Sequence, residues 1–255
     1  MKTLAGILCV RNGDRLDYCW REAGASLLGV CDELVLCDCD SDDGTRQAMD
    51  DWAARDSRVA ICNFAWTDPK GSNTWWLDYL NYARQHAKSE MVFFLDADEV
   101  LHEDSYPLVR QMADAGQAAF CHRYNFWRDS KSLIPHGHCC GFEVLRLGPK
   151  NHWYPTDYPD PYGRDHSIVS MATRANIEIM HYGFIRERQA FFRKAREVLR
   201  IWSDCFDPRL EAAEKESGNW ATHSQMPEWT KELVPFTRTH PKAIHQWLAE
   251  RGHAL

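Results

Sequence analysis

Five mostly large apolar residues, Met91 to Leu95, run straight into Asp96-Ala97-Asp98-Glu99, and acid returns at Glu103 and Asp104. In extended chain, Asp96 and Asp98 project to one side about 6 to 7 Å apart. Two such carboxylates repel one another unless something positive offsets them, and hard oxygen donors of this kind suit a divalent cation. An acidic pair that holds a metal can in turn hold a diphosphate. A second acidic turn, "LCDCDSDDGT", sets Asp38, Asp40, Asp42 and Asp43 ahead of Gly44 and Thr45. Capping the next helix needs one carboxylate, not a cluster, so Asp96 to Glu99 reads as chemistry more than as a cap; the second turn by itself suits a solvated helix-capping turn equally well and gains its weight from the first.

Apolar runs deliver both acidic stretches. "LAGILCV" (4–10), "ELVLCD" (33–38), "VAICNF" (59–64) and the run at 91–95 read as buried strands. Between them, Leu16, Cys19, Trp20, Ala23 and Leu27, then Met49, Trp52 and Ala53, then Trp76, Leu80, Ala83 and Ala87 repeat at helical spacing. Strands apolar throughout, with helices between, predict an α/β fold with a mainly parallel sheet covered on both faces. In such sheets ligands bind beyond the carboxyl ends of the strands, where both acidic turns fall. Further on, a helix near 105–115, strands at 118–124, 142–147 and 176–181, and an amphipathic helix over 187–202 with Arg188, Arg193, Arg196 and Arg200 largely off its apolar face are expected. The last fifty residues, with several prolines, read as a short helical or irregular cap. The expected division is a first half over 1–104 that carries both acidic turns, a second half of the same domain over 105–185, and a C-terminal helical cap over 186–255.

With 255 residues, 44% of them hydrophobic, the chain can build a sizeable core. No apolar run approaches the roughly 18 to 20 residues of a membrane span, and the first apolar stretch is too short for a secretory signal, so a soluble, cytoplasmic protein is expected. Ten cysteines, many inside apolar strands, read as reduced thiols in that compartment. A formal charge of −7 gives no global attraction to nucleic acid.

Together, "VRNGD" after the first strand, "LCDCDSDDGT" after the second and "FFLDADEVL" after the fourth resemble the family 2 glycosyltransferases of the GT-A fold. The match is close over residues 4–104 and continues only through "HYGFIRERQAFFRKA". The resemblance implies transfer of a hexose or pentose from a nucleoside diphosphate sugar, UDP-sugar first, with Mn²⁺ or Mg²⁺, and with inversion as the commoner outcome. It implies that Asp38 contacts uracil or ribose, that Asp43, Gly44 and Thr45 shape that pocket, that Asp96 touches ribose or metal, and that Asp98 is the direct metal ligand. An Asn about fifteen residues before the acidic pair matches as Asn81, but Leu80 stands where relatives usually carry a diphosphate-facing Arg. His181, at the end of a strand, matches a late metal or diphosphate contact, and Arg186, Arg188 and Lys194 follow as replacements for the missing cation.

A hydroxyl acceptor must lose a proton, and "YPTDYPDPYGRDHS" offers Asp157, Asp160 and Asp165 as bases. His136-Gly137-His138-Cys139-Cys140 has the composition of a zinc site but the spacing of no standard finger. Trp75, Trp76, Trp127, Trp153 and Tyr154 read as core before sugar platforms. The acceptor expected is a saccharide; a hydroxylated DNA base flipped out of the duplex is the alternative, and a nucleotidyltransferase is the rival use of the same carboxylates.

Overall fold

The computed structural model describes residues 1–67, 75–135, 143–151, 172–202, 232–253 and 255. Four strands, β1 (Leu4–Val10), β2 (Glu33–Asp38), β3 (Val59–Asn63) and β4 (Met91–Leu95), lie parallel in the order β3-β2-β1-β4. The helices between them are α1 (Trp20–Leu28), α2 (Thr45–Arg55) and α3 (Trp75–His86). Period-2 alternation sorts β1 to two faces. Leu4, Leu8 and Val10 pack with Trp20, Ala23 and Leu27 of α1 and Met49 of α2, while Ala5 and Ile7 pack with Ala83 and Ala87 of α3. Gly6 allows α1 to approach closely: a Cβ there would stand 2.9 Å from that of Leu27.

Beyond β4 the sheet turns antiparallel. After the short β5 (Glu99–Leu101) and helix α4 (Tyr106–Ala115) come β6 (Ala119–Trp127), β7 (Ser132–Leu133), β8 (Glu143–Pro149) and β9 (Thr173–Phe184). β8 joins β4 to β6 in antiparallel fashion, so β1, β2, β3, β4, β8 and β6 form one continuous sheet. β9 runs parallel to β6 and antiparallel to β5, setting His181 opposite both Glu99 and Asn125. Helix α5 (Arg188–Trp202) follows directly. In the C-terminal segment, β10 (Val234–Pro235) extends the sheet by pairing with β7 and α6 (His245–Glu250) follows, so the described part combines strand and helix. The buried Trp127 packs with Phe191 and Phe192, as core.

Two expectations need correction. The first helix starts at Trp20, not Leu16, because residues 11–17 form tight turns in which Asn12 and Asp17 take positive φ (both 53°). Asp96 to Glu99 form a turn, closed by the Glu99 amide donating to the Asp96 carbonyl at 3.0 Å, and not extended chain. The seven described cysteines carry free thiols. Among the described residues no helix is long and apolar enough to cross a membrane.

Candidate active site

The turn after β4 sends its acids in different directions. Glu99 is fully buried; its Oε1 accepts from Arg123 Nη1 (3.0 Å) and Arg146 Nη2 (2.7 Å), and its Oε2 from the Asp96 amide (3.0 Å). Asp96, with 44% of its side chain exposed, accepts from the same Arg146 nitrogen at 2.6 Å. The two acids titrate apart. Burial would raise Glu99, but Arg146 and Arg123 hold it down at about 2. Asp96 is raised, by its crowded surroundings and then by the negative charges of Glu99 and Asp98, against the pull of the two arginines.

Asp98 turns instead toward β9 and α5. Its Oδ2 accepts from Arg186 Nη2 and from Lys194 Nζ, both at 2.7 Å, and its Oδ1 faces His181 Nε2 at 3.6 Å. Burial alone would raise its pKa; Lys194 first, with Arg186, holds it well below the usual carboxylate range. The crowding depends on Gly183. A Cβ there would stand 2.4 Å from His181 Nε2 and 2.9 Å from Asp98 Oδ2. His181 is fixed from its other side, where Nδ1 lies 2.9 Å from Asn125 Oδ1, with Phe184 edge-on to the ring.

Two of the three expected cation replacements, Arg186 and Lys194, thus meet on one carboxylate beside His181, but they are not equivalent. Arg186 is locked: its remaining donors go to the carbonyls of Gly183 (2.9 Å) and Leu16 (2.6 Å), and its side chain is 1% exposed. Lys194 is less enclosed, with 24% of its side chain exposed. Arg188 does not join them; its guanidinium lies over the Phe192 ring at 5.6 Å.

The loops after β1 and β2 form the neighbouring wall. Asp38 is buried, its Oδ1 accepting from the Ser41 amide at 3.2 Å. Asp43 ties the two loops together, accepting from the amides of Arg15 (2.8 Å) and Thr45 (2.9 Å), while Thr45 Oγ1 accepts from the Asp14 amide (3.2 Å). Gly44 sits at the start of α2 with ordinary helical φ. Asp43 and Thr45 therefore shape the loops through backbone ties. Trp66 stacks on Tyr79 (centroids 6.4 Å, 26°), with the Arg11 guanidinium 4.8 Å from the Trp66 ring. Asn81 is buried and accepts from Arg84 Nη2 at 2.8 Å, so α3 does carry a cation, one turn beyond Leu80.

Sequence reading passed over Arg84, Arg123, Arg146 and Asn125. For the last three the available signal was a charged or amide residue inside an apolar strand, in "EVLRLGP" and "AFCHRYNFW", where an unpaired charge is too costly to bury. Asp157, Asp160 and Asp165, Trp153 and Tyr154, and the residues 136–140 lie outside the described residues, and the side chains of Trp75 and Trp76 are likewise not described.

Two of the residues present, Asp98 and His181, stand at a spacing that suits adjacent ligands of one divalent cation. Asp98 Oδ1 and His181 Nε2 face each other at 3.6 Å, near the roughly 3 Å between adjacent ligands of an octahedral ion with bonds of about 2.1 Å. No group of three His, Cys, Asp or Glu side chains converges on one point among the described residues. Such an ion commonly takes only one or two protein groups and completes its shell with phosphate oxygens and water.

Residues 11–169 match the family profile described as glycosyl transferase family 2. No curated protein matches the chain. Among solved structures, it is similar to a mannosyltransferase, PcManGT, from Pyrobaculum calidifontis in complex with GDP-Man and Mn²⁺. The identity is 17% and the TM-score 0.50, with 86% of this chain and 66% of that one covered. It is also similar to S. aureus TarS 1–349 in complex with UDP, at 11% identity and a TM-score of 0.47, with 83% and 69% covered.

Proposed function

The chain belongs to glycosyl transferase family 2, and on that premise we propose that it moves a sugar from a nucleoside diphosphate sugar, UDP-sugar in the first instance, to a saccharide hydroxyl, with inversion and with Mn²⁺ or Mg²⁺. The observation that carries the reading is the convergence of His181, Arg186 and Lys194 on Asp98 at the carboxyl end of the parallel strands. Two to three negative charges develop on a leaving diphosphate, and fixed cations in a partly dry site are the efficient way to stabilise them.

In this reading Asp38 holds the nucleoside, with Asp43, Gly44 and Thr45 keeping the loops in place and Arg11, Trp66 and Tyr79 offering a flat face to the base. Asp96, held by Arg146 yet open to solvent, meets the ribose or the metal. Asp98 and His181 hold the metal, which supplies charge neutralisation to the diphosphate when bound. Arg186 keeps the Asp98 carboxylate in place, and Lys194 leaves it for the diphosphate as donor arrives. Asn81 and Arg84 line the approach from α3. A carboxylate from Asp157, Asp160 or Asp165 takes the acceptor proton.

The test is calorimetric titration of UDP and GDP with Mn²⁺ and with EDTA. Binding is expected only with the metal, and Asp98→Asn is expected to remove it while leaving the circular dichroism spectrum unchanged. Equal affinity in EDTA overturns the reading.

A further inference from the structure

We propose that Asn125 is a positioning residue for His181, holding the imidazole in the form that carries its proton on Nδ1 and turns an unprotonated Nε2 toward Asp98. The inference rests on the reading of His181 and Asp98 as a metal pair and adds to it the group that makes His181 a ligand.

The juxtaposition comes from the sheet. β6 and β9 run side by side with Asn125 and His181 in register, and Asn125 is fully buried. Its Oδ1 stands 2.9 Å from Nδ1, a distance at which an Nδ1–H donates well. A neutral imidazole whose Nδ1 proton is engaged presents Nε2 as a lone pair. The opposite arrangement has the amide nitrogen donating to a bare Nδ1, which leaves a proton on Nε2. That proton would need an acceptor, and the nearest carboxylate oxygen, Asp98 Oδ1, is at 3.6 Å, beyond hydrogen-bonding reach. Two acceptors facing each other across that gap are unfavourable until a cation enters between them. Asn125 Nδ2 has no hydrogen-bond partner among the described residues, so the oxygen-inward orientation costs a buried donor. That cost is tolerable if the orientation serves the histidine.

A residue of this kind tunes metal affinity through the ligand it orients, typically by 10- to 100-fold. The experiment uses the full chain with ¹⁵N-labelled histidine, long-range ¹H–¹⁵N spectra and His181→Gln to assign the signal, with Mn²⁺ alone titrated by electron paramagnetic resonance. The metal-free protein is expected to show a protonated Nδ1 and a bare Nε2. Asn125→Leu is expected to lose that form and weaken Mn²⁺ about 10- to 100-fold, while Asn125→Asp, which keeps an acceptor oxygen, retains both. A protonated Nε2 in the metal-free protein overturns the proposal, as does Asn125→Leu leaving form and affinity unchanged. If Asn125→Leu fails to fold, the wild-type spectrum and Asn125→Asp still decide. If the expected form is found and depends on Asn125 but His181→Gln binds Mn²⁺ as tightly as wild type, the metal reading fails and the positioning role stands.

Discussion

Replacing Arg146 with Met removes a cation shared by Asp96 and Glu99 while keeping an unbranched apolar stem in place of the Arg methylenes. One guanidinium nitrogen contacts the two carboxylates at 2.6 and 2.7 Å, in a place where Glu99 is fully buried. At an effective dielectric constant of about 20, each contact is worth about 6 kcal/mol of gross attraction, much of it offset by the cost of burying the charges. Breaking a buried pair from one side costs about 3 to 5 kcal/mol. Arg123 still reaches Glu99 at 3.0 Å, so the lower end, about 3 kcal/mol, is expected. The loss should depend on pH. Glu99 is held at about 2 in the fold against 4.5 when unfolded, so it contributes stability that is present above pH 4.5 and lost as pH falls through 2. Without Arg146 its folded value rises and that contribution shrinks, so the gap between variant and wild type narrows on acidification. Urea midpoints at pH 7 and pH 3.5 measure both effects. A loss below about 1 kcal/mol at pH 7, or one of equal size at both pH values, refutes the account.

Gly183→Ala forces a methyl group against His181 Nε2 and Asp98 Oδ2, so Mn²⁺ and nucleotide affinity should fall at least tenfold with about 1 to 3 kcal/mol of lost stability; unchanged titrations count against the site. Lys194→Ala should lower turnover roughly 10- to 1000-fold, and Arg188→Ala should leave it within about a factor of two; similar rates for the two variants would remove the distinction drawn between them. His240 accepts from the Tyr182 hydroxyl through Nδ1 and donates to the Ser130 carbonyl through Nε2. Burial, with the neighbouring histidines, brings it down from 6.5 to about 4. The unfolded chain therefore takes up this proton first, and stability that is whole above pH 6.5 declines by up to about 3 kcal/mol as pH drops to 4. His240→Gln should flatten the melting temperature across that window, and an identical slope in both proteins would contradict it.

The parallel half was legible because each strand there is apolar on both faces and ends in a polar turn, a local pattern that needs no partner to be read. β1, β2 and β4 occupy the residues their apolar runs mark. Asp98 was legible as chemistry for the same reason, and His181, Arg186 and Lys194 through their place after a strand. What could not be read was pairing across the sheet. That Glu99 would be saturated by Arg123 and Arg146, 24 and 47 residues away, follows from the order of β4, β8 and β6, which no local pattern encodes. The turn at Asp96 was missed because an alternating acidic stretch fits an extended strand equally well until backbone closure at Glu99 is known. That Arg186 would be held in place was not legible, because two of its partners, the Leu16 carbonyl and the Asp98 carboxylate, lie 170 and 88 residues away.

The strand from Thr173 to Phe184 gives assembly a definite order. The β1–α1–β2–α2–β3 units close through contacts between near neighbours and can form early, whereas Glu99 meets His181 only after more than seventy residues have been laid down between them. During synthesis, Asp98 must wait for Arg186 and Lys194, 88 and 96 residues downstream, before its charge is compensated. Until β9 docks, the nascent sheet can have its parallel strands in place and still lack the cations of its site. The charge balance of the site thus depends on β9 and the helix that follows it, both made long after the strands whose ends they complete.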